Sequence, residues 1–399
     1  MRGASSLLVA IVAMLASTPV ELGAQQLAIT NVRLYPGPGR SPIERATIVI
    51  RDGAIATIGR EVATGDLPTL DGGGRAATAG LWNSHVHFMD PELRTNAAAI
   101  VRDMLLRYGF TSVVDTGSVP EDTRNLAAAI ARGEIDGPRI VTASGGFVFP
   151  GGTPSYLPGM RLPELATPAD AKPAVDALLD AGADGIKIFS GSFITPTETV
   201  LLPPEIIRAV TSAAHARGSF VVAHPTNREG FVNAVDNGVD VLAHTAPSAG
   251  ELGDEVIATM LARKIALIPT LKLWSWELRR ANVPEPALRE FQSAGVAQTT
   301  EYRGAGGEIL FGTDVGYMPD YDTTEEFEML RRAGLDFDAV LTALTTAPAR
   351  RFARESGAVE PGSPGDIVIF MADPAADVTA FARVAVTIRG GRVVYDAMR

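Results

Sequence analysis

The sequence predicts an α/β fold, a (β/α)8 TIM-like barrel with a small β-sandwich module formed from both chain ends. Three observations predict it. Between Thr78 and Phe352 short apolar segments alternate with amphipathic helical ones, and apolar strands alternating with helices belong to a parallel sheet covered on both faces. The apolar segments number eight, the count at which such units close into a barrel. Each chain end carries a few strand-like segments with tight turns, too few for a stable sheet alone, so the two ends are expected to meet. An open doubly wound sheet would share the alternation, but no Gly-x-Gly-x-x-Gly turn follows the first strand.

Residues 1–24 read as a signal peptide: Arg2 is the early positive charge, 7–16 is an apolar run, and Leu22-Gly23-Ala24 offers a cleavage point. About ten apolar residues are too few to cross ~30 Å of hydrocarbon. No stable membrane anchor is therefore expected, and export to a periplasm or the extracellular medium is. The chain has no cysteine, which excludes disulfides and a lipid-modified cysteine.

The β module is expected over 25–75 and 358–399. Its strands read as 28–34, 46–50 and 54–58, with Asp52-Gly53 a hairpin turn, then 366–370, 384–388 and 392–395 around Gly390-Gly391. The barrel is expected over 76–357, with strands at 79–88, 111–116, 139–143, 185–189, 220–223, 239–243, 265–269 and 309–312. Helices at 97–108, 169–181, 204–217 and 229–237 lie among them. With 46% hydrophobic and 20% charged residues over 399 positions, the chain can bury a sizeable core. A net charge of -11 and the absence of a Lys/Arg run exclude a phosphate backbone as partner, so no nucleic acid is expected.

Chemistry in such barrels sits at the C-terminal ends of the strands. His85 and His87 stand two apart on the first strand, so they share a face, about 7 Å apart along it, and can reach one metal ion. The other strand ends supply Lys187, His224, His244 and Asp314. His224 and His244 are 20 residues apart (244 − 224), one return of strand, helix and strand. Four of the five histidines thus fall on one rim. The fifth, His215, sits at a helix end before Gly218 and is assigned a structural role. A buried lysine is costly as an unpaired cation, so Lys187 needs a partner such as Asp314, a Schiff-base role or a modification.

Specificity is expected in the loops 146–158, 190–196, 272–276 and 317–322. Aromatic residues there, Tyr317 among them, would meet apolar substrate groups, while Arg228 and Lys272 would bind a substrate carboxylate or stay solvated.

Together, His85-Val86-His87, Lys187, Ala223-His224-Pro225-Thr226, 238–244 ending in His244, and 310–314 ending in Asp314 resemble the amidohydrolase superfamily. The imidazolonepropionase-like and zinc prolidase (Xaa-Pro dipeptidase-like) branch is most similar, and 342–349 and 361–368 are similar too. The resemblance spans the mature chain. It implies two divalent metal ions, one held by His85, His87 and Asp314, the other by His224 and His244, with a carbamylated Lys187 bridging both. Asn83 departs from it, standing where the family commonly has Asp. Histidine and carboxylate ligands suit zinc best, with Mn, Co or Fe as alternatives.

The implied activity is hydrolysis of a C–N amide bond, of dipeptidase or N-acyl amino acid hydrolase type. A metal-bridging hydroxide attacks and Asp314 serves as general base, then acid. A cyclic amide, imidazolone or lactone is the alternative at the same centre. A non-catalytic metal- or ligand-binding barrel is a third reading, disfavoured because binding alone needs no proton carrier. A small-molecule partner follows, and self-association is left open by the sequence. Exported material should begin at or near Gln25; N-terminal sequencing that returns Met1 would refute export by cleavage.

Overall fold

In the computed structural model, which describes residues 26–353 and 355–399, the chain opens with β1 (Leu27–Leu34), β2 (Ile43–Arg51), β3 (Ala54–Gly59), β4 (Thr69–Asp71) and β5 (Ala76–Ala79). The expected signal peptide lies outside the described residues. Asp52 and Gly53, between β2 and β3, have φ of 51° and 75°. Two positive φ values give a hairpin turn whose twist matches its strands, as the Asp-Gly pair predicts.

The expected single strand over 79–88 is broken at Gly80. Its N–H donates to the Asp366 carbonyl at 2.8 Å, and a Cβ there would sit 2.8 Å from Asp366 Cβ and 2.9 Å from Thr111 Cγ2. Only glycine lets the chain pass this close, and at this point it leaves one sheet for the other. The end module therefore includes β5, four residues beyond the expected boundary at 75.

The barrel begins with β6 (Leu81–Val86) and continues through β7 (Phe110–Asp115), β8 (Arg139–Phe147) and β9 (Gly185–Phe189). A short hairpin of β10 (Gly191–Phe193) and β11 (Thr199–Leu201) follows, then β12 (Phe220–His224), β13 (Val241–Ala243) and β14 (Ala266–Ile268). The seven barrel strands pair in parallel in the order β14-β13-β12-β9-β8-β7-β6.

The eighth place is filled by 308–315, which makes bridges without forming a regular strand. Leu267 N–H donates to Glu308 O at 3.0 Å and Leu310 N–H to Leu267 O at 2.9 Å, which joins the segment to β14. Ser84 N–H donates to Phe311 O at 2.8 Å and Asp314 N–H to His85 O at 2.9 Å, which joins it to β6. The strand expected at 309–312 is thus a closing segment, cut short because Asp314 turns left-handed at φ 64°.

Helices α1 (Leu93–Met104), α2 (Pro120–Ala131), α3 (Pro168–Asp180), α4 (Pro204–Ala216), α5 (Arg228–Asp236), α6 (Asp254–Ala262), α7 (Leu271–Arg280), α8 (Glu285–Gly304), α9 (Thr324–Arg332) and α10 (Phe337–Leu344) accompany the strands. Their starts follow local chemistry: Thr167 and Asp170 form a capping box on α3, and the Asn227 side chain accepts from Gly230 N–H on α5.

β15 (Ile367–Phe370), β16 (Val384–Arg389) and β17 (Arg392–Asp396) return to the N-terminal strands in the order β17-β16-β15-β5-β1-β2-β3, with β4 on β1. All eight belong to one hydrogen-bonded sheet. Ile48 and Ile50 of β2 share a buried cluster with Ile367 and Ile388 from the far half, so the sheet curls around its own core. Burying each such side chain contributes about 1.5–3 kcal/mol.

Gly316, just past the closing segment, has φ 93°, and a Cβ there would collide with the His87 carbonyl, 2.6 Å from its carbon. Gly316→Ala should lower stability by at least about 3 kcal/mol. The same change at Gly39, also at positive φ (68°) but in open space, should cost only about 1–2 kcal/mol. Denaturant unfolding of the two variants side by side measures the difference.

Candidate metal centre

β6 delivers His85 with its ring fully buried, and His87 follows just beyond the strand end. Their Nε2 atoms lie 3.3 Å apart, and Asp314 Oδ1 is 3.1 Å from the first and 2.9 Å from the second. Burial pushes His85 down to about 3 against the pull of Asp314, so its ring is neutral. Burial alone would raise Asp314, but His85 and His87 hold it well below the usual carboxylate range. Two imidazole nitrogens and a carboxylate oxygen, all within 4.8 Å of one another, converge on one point. Asp314 Oδ1 and both Nδ1 atoms are buried without a hydrogen bond. Imidazole nitrogens and a carboxylate oxygen are the donor set a divalent cation takes.

His224 ends β12 and His244 follows β13, with ring centroids 4.7 Å apart; His244 is also 4.6 Å from His85. Burial, then Lys187 for His224 and His85 for His244, drives both far below the ordinary imidazole value. Lys187, central in β9 and 1% exposed, is pushed down to about 8 by burial, with Asp314 and Asp115 pulling upward. Its Nζ lies 5.7 Å from the Phe189 ring centroid, and no hydrogen bond or ion pair of that nitrogen is found among the described residues. The six residues expected on one rim are brought together there.

Residues 76–394 match the amidohydrolase family. The chain belongs to that family. An uncharacterised protein of Mycobacterium tuberculosis is 26% identical over 344 residues, covering 82% of this chain and 85% of its own length. An L-hydantoinase of Paenarthrobacter aurescens is 24% identical over 243 residues, 60% of this chain and 48% of the hydantoinase. The crystal structure of a Xaa-Pro dipeptidase with bound methionine superposes with a TM-score of 0.81 at 23% identity, over 93% of this chain and all of that one. The fold is thereby that of an amidohydrolase barrel, and the chain is a hydrolase acting on carbon–nitrogen bonds.

Two residues that shape this amidohydrolase's centre, Thr270 and Tyr156, were not singled out from the sequence. Thr270 Oγ1 donates to the Pro269 carbonyl at 2.8 Å, so toward His244 Nδ1, 2.5 Å away, it accepts. That places the proton of His244 on Nδ1 and leaves Nε2 free as a ligand. Asn83 accepts from His85 N–H and Thr313 N–H, both at 3.2 Å, and donates to Thr313 Oγ1 at 2.7 Å. Tyr156, in the loop after β8, brings its hydroxyl within 3.3 Å of His224 Nε2, and burial keeps the phenol protonated far above pH 10.

The residues expected to meet substrate fare differently. Arg228 donates to the carbonyls of Ala249, Glu251 and Leu252 at 3.4, 2.7 and 3.4 Å. Lys272 is buried, ion-paired with Asp320 Oδ2 at 2.9 Å and bonded to the Asp320 and Asp322 carbonyls. Both cations are committed to the protein's own oxygens. Tyr317 stands in the site against Tyr156, centroids 5.7 Å apart, its hydroxyl bonded to Glu277. His215 pairs with Asp240 at 2.9 Å, away from the centre, as its structural assignment requires.

Replacing Thr270 by Val keeps the shape but removes the acceptor that fixes the His244 tautomer. Affinity for divalent metal should fall about 10- to 100-fold. Competition titration against a chelator gives the value; unchanged affinity would show that Thr270 does not orient the ring.

Proposed function

We propose that this amidohydrolase cleaves an amide C–N bond with two divalent cations, zinc being best suited, held by His85, His87 and Asp314 on one side and His224 and His244 on the other. Carbamylated Lys187 would supply a further carboxylate to hold them. The observation that carries this reading is the convergence of His85 Nε2, His87 Nε2 and Asp314 Oδ1, three potential ligand atoms facing one another. Bound cations supply Lewis acidity and a water of lowered pKa.

The chain's own residues do the rest. Asp314, anionic and beside the centre, takes a proton from the attacking water and delivers it to the leaving nitrogen. Lys187, pushed down to about 8, has neutral amine available at neutral pH. That amine adds to the carbon of CO2 and loses a proton, giving an N-carboxylate where the unmodified side chain would be an unpaired buried cation. Tyr156 stays protonated at the lip of the site and can donate to a substrate oxygen.

An open-chain amide of the dipeptide or N-acyl amino acid type is the first substrate class to test, in line with the dipeptidase-like fold. A cyclic amide is the second reading, supported by the L-hydantoinase relative. Export of the mature chain from Gln25 belongs to the same proposal, supported by the apolar run at 7–16.

Two variants separate the roles. Asp314→Asn should retain much of the metal yet lose roughly 10²- to 10⁴-fold in kcat, because an amide cannot accept the proton. Lys187→Ala should lose at least one metal equivalent together with activity, and formate or acetate should restore part of both. Metal analysis and turnover on an amide panel decide: near-normal kcat in the first, or full metal and activity in the second, would remove those assignments.

A further inference from the structure

The walls of the centre are aromatic, and three cations around it, Arg228, Lys272 and Arg280, are engaged elsewhere. Phe189 lies 4.9 Å from His224 and Trp274 6.1 Å from His244, centroid to centroid. Tyr156 reaches His224 through its hydroxyl and stacks edge-on against Tyr317, which in turn meets Trp276 at 5.6 Å. All five aromatic residues are partly exposed, beside His85, Lys187, His244 and Asp314, which are buried. They come from β9, the loop after β8, α7 and the loop after the closing segment, so the aromatic surface spans the mouth instead of belonging to one element.

A carboxylate on the substrate would need a cation or a set of free N–H donors at this mouth. Arg228 is held by three carbonyls, and Lys272 by Asp320 and two carbonyls. Arg280 lies over the Trp276 ring at 4.9 Å and pairs with Glu277 at 3.6 Å. Arg161, in the loop after β8, is solvent-exposed. The Tyr317 hydroxyl donates to Glu277, so a carboxyl group already stands against the aromatic wall. Freeing Lys272 for a ligand would strand Asp320 and two carbonyls.

We infer, resting on the amide-hydrolase reading above, that the substrate presents an uncharged aromatic or bulky apolar group to Tyr156, Phe189, Trp274, Trp276 and Tyr317. A free carboxylate next to the scissile amide is rejected. The acid member of a matched pair should therefore be the poorer ligand, although dipeptides and N-acyl amino acids carry such an acid. Rings with an open face take up aromatic groups by offset or edge-on stacking, worth about 0.5–1.5 kcal/mol per pair beyond area burial.

The test uses N-benzoylglycine and N-benzoylglycinamide, which differ only in the charge of the terminal group. Calorimetric titration of each into the metal-loaded protein should give at least a ten-fold lower Kd for the uncharged member. Trp276→Leu should weaken that member several-fold while metal content stays unchanged. Equal or tighter binding of the acid, or no binding of either compound, overturns the inference. Turnover is read separately on the same samples. Preferential binding of the uncharged compound with no hydrolysis of any amide would leave the substrate class standing and sink the hydrolase reading, whereas hydrolysis with a preference for the acid would do the reverse.

Discussion

Closure of the barrel by a segment that is not a full strand is the constraint on which the centre depends. A regular eighth strand would alternate its side chains and carry them upward in register. Residues 308–315 instead bond to β14 early and to β6 late, and between the two the backbone turns left-handed at Asp314. That turn places the Asp314 carboxylate across the seam from the imidazoles of His85 and His87. Asn83 fastens the seam from below, bonding Thr313 twice and the His85 amide once. Gly312 and Gly316 sit where any side chain would strike His85 or His87 backbone or Cβ atoms. The ligand geometry is therefore a property of the seam as much as of the ligands.

Backbone strain is also present at the same place. His244, Thr270 and Asp314 all have positive φ, of 79°, 46° and 64°. For a β-branched residue such as Thr270 that is an outlying conformation, costing on the order of 1–3 kcal/mol. It persists because Thr270 is fully buried at the start of α7, where its hydroxyl joins the Pro269 carbonyl to His244. Glu326 of α9 adds to this anchoring by accepting from Lys272 N–H at 2.8 Å at the same helix start. Packing that holds a strained turn is what fixes the tautomer of a ligand several bonds away.

What could be read from the sequence follows the reach of each interaction. The strand–helix alternation, the Asp52-Gly53 hairpin and the rim placement of His85, His87, Lys187, His224, His244 and Asp314 are local patterns, and the fold assembles them as the patterns direct. The break at Gly80 was not legible, because its cause is contact with Thr111 and Asp366, remote in sequence. Nor was the irregular closure, since an apolar 309–312 looks like any other strand until its bonding partners are known. Thr270 carries no motif; its role exists only once β13 and β14 lie side by side. Tyr156 was visible only as part of a loop, the step to His224 being set by folding of that loop over the barrel.

Arg228 and Lys272 show why charge at a rim is weak information about substrate. In sequence Arg228 stands just before an expected helix and Lys272 in an expected loop, 272–276, that the structure instead folds into α7, so both look like free cations. Their competitors arrive from other loops: carbonyls of 249–252 for Arg228, and Asp320 with two carbonyls for Lys272. A loop that runs over a barrel mouth leaves carbonyl oxygens without strand or helix partners, and a long cation can satisfy several at once. The two cations thereby shape the walls that would contact a substrate while withdrawing their charge from it. What remains beside the centre is aromatic surface, standing next to loops whose carbonyls Arg228 and Lys272 tie down.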